Sequence, residues 1–445
     1  MTTHSALFPR SFKKDYPVAV RAEGCWIHDS IGKKYLDAAG QAAVVNIGHG
    51  VPEIGRAMAE QSSRIAFAHT SQFHTDVAER LAARLLALAP PSFRNGGRVY
   101  LTSGGSESAE TAIKLARQFH LERGSSARFR ILSRRQSYHG STLGAMSLSG
   151  NVGRRVPYLP LLPEWGHIAP CFCSRCPFDM RYPGCNLACA DDLESHLREN
   201  DARDAAAFIF EPVVGATLGA AAPPEGYAER IAEICRSRGL LLIADEVMTG
   251  LGRTGKNFAV NHWGVDPDLI LVGKGIGGGY APLGAVLVAP RVVDAFASGS
   301  GAFAHGFTYQ AHPVAAAAGN AVLDYIEAHH LFERVAPAAS SLRAALAPLA
   351  AHPHVAEIRG LGLLMGIEFV RDKSSRAPFE PSEGIAEKIR RAAMDAGVLT
   401  YPSQGTVDGV RGDHLLLAPP FILSEDEAGL IAKAISAALD KVFST

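Results

Sequence analysis

Short apolar runs alternate with longer helical patterns between about residues 98 and 290. Six runs have the length and apolar content of strands buried on both faces, namely residues 98–102, 129–133, 207–210, 240–244, 269–272 and 284–289. A turn marked by Gly, Ser or charged residues follows each run, and helical patterns lie between the runs. This alternation predicts an α/β fold with a mostly parallel sheet covered by helices.

The pattern changes at about residue 315. Alanine- and leucine-rich helical stretches come first, followed by an alternating segment at 361–369 and two further helix patterns, after Pro381 and after Ser424. Ser424 and Glu427 have the spacing of a capping box, which predicts a last helix starting there. We expect a second, smaller α+β domain in this part of the chain. Residues 157–183 show the least regular pattern.

Length, charge and hydropathy indicate which kinds of molecule the protein binds. A chain of 445 residues is too long for one small core. Lys plus Arg and Asp plus Glu balance at 44 each, so net charge gives no reason to expect nucleic acid or an anionic membrane. No apolar run is long enough to cross a bilayer, and the start MTTHSALFPRSFKK lacks the apolar segment of a secretory signal. These features predict a cytoplasmic protein that acts on small molecules.

Five of the seven cysteines fall in CFCSRCPFDMRYPGCNLAC, at Cys171, Cys173, Cys176, Cys185 and Cys189. They could be zinc or iron–sulfur ligands, or a loop of reduced thiols with some buried as small apolar groups. The spacing matches no strong metal pattern, so we expect no bound metal. A disulfide framework is disfavoured because cytosolic thiols are kept reduced.

Candidate chemistry follows the predicted strands, because ligands of open α/β sheets bind at the carboxyl ends of the strands. Lys274 comes directly after the apolar run 269–272, among glycines that provide no side chains to shield it. It is either a surface lysine on a loop or an uncharged amine kept inside, since burying an unpaired ammonium is costly.

A glycine-opened helix follows the first run. Gly104 and Gly105 lead into an apolar pattern typical of a helix, and we predict Ser106 as its N-cap. Free backbone N–H groups at such a helix start suit a phosphate. The alternative is a capped helix with a flexible turn.

Aromatic and acidic residues follow the next runs. Tyr138 and His139 come after 129–133, where the aromatic could stack on a ring or simply pack. Glu211 follows 207–210, and Asp245 follows 240–244. Carboxylates placed there need a partner to offset their desolvation, which could be a ligand or a salt bridge between loops.

Two nucleotide-binding patterns fail in context. The residues after the G-x-G-x-x-G pattern at 273–278 have the pattern of a turn and a strand. A dinucleotide-binding fingerprint requires a helix at that place. The G-x-x-x-x-G-K pattern at 250–256 is followed by Asn257 instead of Ser or Thr, and it does not directly follow its own strand.

An aldehyde-bearing pyridine ring with a phosphate tail would use all these groups. A desolvated Lys274 could form a Schiff base with the aldehyde, and Asp245 could keep the pyridine nitrogen protonated. Val247 and Tyr138 could cover the two ring faces. The phosphate would lie on Gly105 and Ser106.

The same segments resemble the class III, ω-transaminase-like aminotransferases, which are pyridoxal 5'-phosphate (PLP) enzymes of fold type I. The matching text is VVNIGHG, SGGSESAETAIKLAR, YHGST, FEPVVGA, IADEVMTGLGRTGK, DLILVGKGIGGGYAPLGA and HGFTYQAHPVAAAAGNAV. The resemblance extends over nearly the whole chain. It implies a large PLP-binding domain at 51–314 and a small domain built from both chain ends, 1–50 and 315–445.

The resemblance also implies residue roles. Lys274 is the lysine that binds PLP covalently and moves the proton, and Asp245 is the partner of the pyridine nitrogen. The other implied cofactor-binding residues are Gly105, Ser106, Tyr138, His139, Glu211, Val247 and Thr308. Thr308 would reach across from a second subunit, which makes a homodimer the smallest active unit and leaves a tetramer open.

The implied reaction moves an amino group from an amine or ω-amino acid to a keto acid such as pyruvate or 2-oxoglutarate. Arg411 is a candidate for binding a substrate carboxylate, with a structural salt bridge to Asp413 as the alternative. Phe73 and Ala43, with Ala42 beside it, are further pocket candidates. An aminomutase or amino-acid decarboxylase on the same fold is the alternative activity. A metal-dependent binding module or a non-catalytic cofactor scaffold is the alternative from another class.

Overall fold

The computed structural model describes residues 6–200 and 202–444. Its strands are β1 (Ala19–Glu23), β2 (Trp26–Asp29), β3 (Lys34–Asp37), β4 (Arg98–Thr102), β5 (Arg130–Arg134), β6 (His167–Ile168), β7 (Ala205–Phe210), β8 (Leu241–Asp245), β9 (Leu269–Val272), β10 (Gly284–Val288), β11 (Val355–Leu361), β12 (Leu364–Phe369), β13 (Val398–Leu399), β14 (Tyr401–Gln404) and β15 (Asp413–Leu417).

The helices lie between and after these strands. They are α1 (Gly40–Ala43), α2 (Pro52–Arg64), α3 (Asp76–Leu88), α4 (Gly105–Glu122), α5 (Leu143–Leu148), α6 (Val152–Arg155), α7 (Ala188–Glu199), α8 (Tyr227–Arg238), α9 (Pro290–Ser298), α10 (Pro313–Ala328), α11 (Leu331–Leu346), α12 (Ile385–Asp395) and α13 (Glu425–Phe443). None of the described helices is long and apolar enough to cross a membrane.

A seven-stranded sheet with the order β4-β10-β9-β8-β7-β5-β6 forms the centre of the fold. Neighbouring strands from β9 to β6 run parallel, and β10 is antiparallel to both β4 and β9. All six predicted strands are present, with bounds that shift by at most two residues. The prediction of a mostly parallel sheet covered by helices is confirmed.

The central strands are buried on both faces. Along β8, Leu242 and Ala244 belong to one apolar cluster, whereas Leu241 and Ile243 belong to another. Successive side chains of a strand point to opposite faces, so the two clusters lie on the two sides of the sheet. This double burial is what the continuous apolar runs predicted.

Two four-stranded sheets accompany the central one. The N-terminal strands pair in the order β1-β2-β3-β13, so residues from both chain ends share one sheet, and the last sheet has the order β11-β12-β15-β14. The Ser424 side chain accepts from Glu427 N, which confirms the predicted capping box of α13. The domain bounds at residues 50 and 314 stay a prediction.

Candidate active site

The parallel strands place the predicted residues side by side at one edge of the sheet. Glu211 follows β7, Asp245 ends β8, and Lys274 follows β9, and these three strands are direct neighbours. Their carboxyl ends meet at the same edge because β7, β8 and β9 are parallel. The sequence-based prediction that these residues share a site is therefore consistent with the strand order.

Lys274 is held in an uncommon backbone conformation. Its φ is +48°, in the left-handed region, between an extended Gly273 and a short 3₁₀ turn. Such a conformation is infrequent for a residue with a Cβ and is found often at functional sites. Asn46 stabilises the turn, because its Nδ2 donates to the Gly275 carbonyl at 3.0 Å.

The amine of Lys274 is partly neutral at ordinary pH. Burial lowers the pKa of Lys274 to about 8, although the negative charges of Asp245 and Glu211 oppose the shift. The positive charges of Arg154 and Arg253 lower the pKa further. Within the described part of the chain, the Nζ makes no hydrogen bond. The free amine is therefore available as a nucleophile or a base.

Asp245 is fixed by two partners. Its Oδ2 lies 2.8 Å from His139 Nδ1, and its Oδ1 accepts from the Val247 backbone N–H at 3.1 Å. Both side chains are buried, and the His139 backbone N–H donates to Ser149 Oγ at 2.8 Å. The imidazole therefore orients the carboxylate. Sequence analysis placed His139 near the cofactor but gave no signal for this pairing.

Glu211 anchors the loop that carries Tyr138. One carboxylate oxygen accepts from the Tyr138 backbone N–H at 3.0 Å, and the other accepts from Gly215 N at 3.0 Å. Burial is the main reason that the pKa of Glu211 is raised, and the nearby Asp245 raises it as well. The side chain is thus both close to the site and used for loop positioning.

The start of α4 comes close to the loops after β8 and β9. A Cβ added to Gly105 would lie 2.9 Å from Val247 Cγ1, and one added to Gly273 would lie 3.2 Å from the same atom. A Cβ at Gly105 would force Val247 or the helix start to move, and a Cβ at Gly273 would need a smaller shift of Val247. The first N–H groups of α4 have no intrahelical partners, so this helix start is suited to an anion.

Ser106 does not cap α4, so that prediction was wrong. The chain is extended at Gly104, with φ 170° and ψ 174°, and Gly104 is the N-cap. Ser106 is the second helical residue, and its Oγ accepts from the Ser141 backbone N–H at 3.0 Å. The hydroxyl therefore ties the helix start to the loop after Tyr138.

Tyr138 is a partly exposed member of the candidate site residues. Its hydroxyl is 2.9 Å from Ser141 Oγ, and the Arg154 Cζ lies 4.6 Å from its ring centroid. Sequence analysis did not single out Arg154 or Asn46. Asn46 falls within VVNIGHG, but nothing in the text distinguishes it as a contact of the Lys274 turn.

Three further candidates lie in two different environments. Thr308 is exposed, and Phe73 is 62% exposed. Ala43 is buried with a φ of +61° and belongs to a small apolar cluster that includes Val213 and Met248, which follow Glu211 and Val247 closely.

Arg411 pairs with a different residue from the one expected. Its Nε lies 2.7 Å from Asp408 Oδ2, whereas Asp413 accepts from the Ala386 backbone N–H and from Gln404. The proposed alternative, a salt bridge to Asp413, was therefore wrong. Asp408 is closer in the chain and lies in the same turn, which explains its preference.

The cysteine loop contains free thiols. Cys171 and Cys189 are buried, Cys176 and Cys185 are partly exposed, and Cys173 is exposed. Among the described residues, no group of three or more His, Cys, Asp or Glu side chains is arranged to hold a metal ion.

Comparison with known proteins identifies the family. The family model for "Aminotransferase class-III" matches residues 9–439. The uncharacterized aminotransferase YodT of Bacillus subtilis is 39% identical over 424 residues, which cover 95% of each chain. An omega-aminotransferase of Caulobacter vibrioides is 34% identical, covering 97% of this chain and 95% of its own.

Solved transaminase structures have the same fold as this chain. An (S)-enantioselective omega-transaminase from Thermomicrobium roseum superimposes with a TM-score of 0.91 at 36% identity, covering 99% of this chain and 96% of that one. An amine transaminase from an uncultivated Pseudomonas species, in its PLP-bound internal aldimine form, also gives 0.91 at 36% identity, covering 99% of both chains. The chain belongs to the class III aminotransferase family and has the fold type I architecture of PLP enzymes.

Proposed function

We propose that this aminotransferase uses PLP to move an amino group from an amine or ω-amino acid to a keto acid such as pyruvate or 2-oxoglutarate. The observation that supports this most strongly is the Lys274 amine, whose pKa is lowered by burial. It follows β9, the strand next to the one that ends in the His139-bound Asp245.

The residues present fit PLP. The free N–H groups at the start of α4, around Gly105 and Ser106, suit the cofactor phosphate, and Val247 packs directly against Gly105. Asp245 would pair with the ring nitrogen. Val247 and Tyr138 would cover the ring faces. His139 Nε2 is buried without a hydrogen-bond partner among the described residues, which leaves it free to meet a bound group.

Bound PLP supplies an electron-accepting ring that stabilises the charge left on Cα of an amine when its proton is removed. Lys274 Nζ, as the free amine, takes that proton and later returns it. Asp245 would hold the proton at the ring nitrogen of bound PLP, and His139 keeps the Asp245 carboxylate oriented. Glu211 keeps the Tyr138 loop in place through the Tyr138 backbone N–H.

The proposal includes a homodimer in the cytoplasm, in which Thr308 of one subunit contributes to the phosphate site of the other. Thr308 is exposed, and so are the neighbouring Tyr309 and the aromatic Phe67 and Phe73. Phe67 and Tyr309 make a ring contact at 5.9 Å. An exposed aromatic surface of this kind supports contact with a second protein chain.

A donor and acceptor panel tests the function. The purified holoprotein is given a series of amines and ω-amino acids, each with pyruvate, with 2-oxoglutarate or with no acceptor. An aminotransferase converts donor continuously with an acceptor and stops after one equivalent per site without one. Continued turnover without any keto acid would contradict the proposal and indicate an aminomutase or a decarboxylase.

A further inference from the structure

Arg154 presents an unpaired positive charge next to the candidate site. It lies in α6, is exposed, and forms no ion pair with a carboxylate in the described part of the chain. Its guanidinium lies over the Tyr138 ring at 4.6 Å, and its Nη2 donates to the Tyr401 hydroxyl at 3.2 Å. Two tyrosines therefore hold the guanidinium in place without neutralising it.

The charge of Arg154 reaches the reacting amine. Arg154 is one of the groups that lower the pKa of Lys274. Arg253 also does so, but it is buried and its Nη1 donates to the carbonyls of Leu363 and Pro419. Arg154 differs because it is exposed and, among the described residues, only Nη2 of its guanidinium donates a hydrogen bond, which leaves the other guanidinium N–H groups free for an anion.

Arg411, the residue that the sequence offered as a candidate for binding a carboxylate, already has a carboxylate partner. Asp408 accepts from Arg411 Nε at 2.7 Å, from the Arg411 backbone N–H at 2.7 Å and from Val410 N at 2.9 Å. Asp408 therefore offsets part of the positive charge that a substrate carboxylate would meet at Arg411. Arg154 has no carboxylate partner in the described part of the chain.

We infer that Arg154 binds the carboxylate of the substrate, with Tyr138 and Tyr401 as the residues that position its guanidinium. The inference rests on the proposed function and names the substrate class: amino acids and keto acids whose carboxylate is reached from the Tyr138 side of the site. A guanidinium matches a carboxylate with two parallel hydrogen bonds, which a lysine cannot reproduce. Because Arg154 lies in α6 and Tyr401 in β14, the bound carboxylate would join the central sheet region to the sheet formed by β11, β12, β15 and β14.

The test compares donors that differ only in the carboxylate. For wild type and Arg154→Ala, kcat/KM is measured in the donor half-reaction with 4-aminobutyrate and with butylamine, through the visible absorbance of the cofactor. We expect wild type to prefer 4-aminobutyrate and Arg154→Ala to lose about 10- to 100-fold for it, mainly through KM. The loss for butylamine should be much smaller, because it reflects only the effect of Arg154 on the pKa of Lys274. Arg154→Lys should recover only part of the loss. Tyr401→Phe should lose less than Arg154→Ala.

The matched control is Arg94→Ala, which removes an exposed arginine near the opposite, amino end of β4. It should leave both donors unaffected. Equal losses for both donors in Arg154→Ala, or no loss for 4-aminobutyrate, would overturn the inference. Arg154 would then have only a structural role, through its contacts with Tyr138 and Tyr401.

Binding of unreactive butanoate to the holoprotein, measured by calorimetry, separates this inference from the proposed function. Butanoate binding that is weakened in Arg154→Ala but not in Arg94→Ala supports the carboxylate site even if no donor is transaminated. Butanoate binding that is absent from wild type, or unchanged in Arg154→Ala, contradicts it even if transamination is observed.

Discussion

A lysine that leaves water loses hydrogen bonds, and Lys274 regains none of them within the described part of the chain. Burial therefore favours the neutral amine, and the carboxylates of Asp245 and Glu211 only partly oppose this effect. The same two carboxylates can later stabilise positive charge near the amine. The residue thus has the protonation behaviour expected of a base and nucleophile rather than of a surface lysine.

The pH dependence of cofactor capture follows from this shift. Only the free amine reacts with an aldehyde, and a pKa of about 8 makes the free amine the major form above about pH 8. The rate at which apoprotein incorporates PLP should rise with pH up to about 8 and then level off. Stopped-flow absorbance between pH 6 and pH 10.5 measures it. A rate that still rises steeply above pH 9.5 would indicate an ordinary lysine.

The Asp245 carboxylate should matter for proton removal rather than for cofactor capture. Asp245→Asn keeps the shape of the side chain and removes its charge, so the protein should still bind PLP covalently but react with donors about 100-fold more slowly or worse. Single-turnover absorbance measures the rate. Asp266→Asn, at an exposed position, is the control. Wild-type rates in Asp245→Asn would mean that another group serves the ring nitrogen.

Sequence analysis predicted the residue types at the sheet edge but not how they contact each other. The order of apolar runs was sufficient to place Lys274, Asp245 and Glu211 at one edge. The pairing of His139 with Asp245 joins residues 106 positions apart, and its distance depends on the path of the loop. No local pattern encodes such a contact. Arg411 likewise pairs with Asp408 because of the shape of a turn, and that shape could not be predicted from the sequence.

At the level of elements, the helix start and the strand ends depend on close backbone approach. Gly105 and Gly273 both face Val247, and a side chain at Gly105 would push the start of α4 or Val247 out of place. The apolar periodicity predicted a helix here, and α4 confirms that prediction. Its N-cap was misplaced by two residues, at Ser106 instead of Gly104. Serine is a stronger N-cap signal in a sequence than glycine is.

Enlarging Gly105 should weaken the binding of PLP. In Gly105→Ala the added Cβ would meet Val247 Cγ1 at 2.9 Å, so either the helix start or Val247 must move. We expect PLP affinity to fall about 10-fold or more, measured by fluorescence titration of apoprotein. Adding Val247→Ala to Gly105→Ala should restore part of the affinity if the clash is the cause.

Gly104→Ala is the matched control for this variant. No atom lies within 4 Å of an added Cβ at Gly104, and its extended backbone suits any residue. Its PLP affinity should stay close to that of wild type. Equal losses in Gly104→Ala and Gly105→Ala would contradict the argument from the contact with Val247.

At the level of the whole molecule, residues from both chain ends meet in one sheet. β13 pairs in parallel with β3, which links residues near 398 to residues near 36. Sequence analysis could assign the N-terminal segment to the small domain only through family resemblance, because pairing between such distant short strands leaves no periodic signal. The same limit applies to the subunit arrangement, which depends on surfaces rather than on runs of residues.

Subunit mixing tests whether Thr308 acts across a dimer. Lys274→Ala and Thr308→Asp subunits should each be nearly inactive alone, since one lacks the amine and the other repels the phosphate. If Thr308 serves the partner's site, one site of each hybrid dimer is intact, and an equimolar exchanged mixture should recover about a quarter of wild-type activity. Activity assays after subunit exchange measure it. No recovery in a mixture shown to contain hybrid dimers would contradict the role of Thr308 in the partner's site.

The central claim is that Lys274 is the amine that holds the cofactor. Borohydride reduction of the PLP-loaded protein, followed by peptide mass mapping, tests it most directly. The account predicts one pyridoxyl-phosphate adduct per chain, located on Lys274 and absent from Lys274→Ala, while Lys256→Ala, at an exposed lysine, is labelled like wild type. An adduct on another lysine, or no adduct at all, would contradict the account.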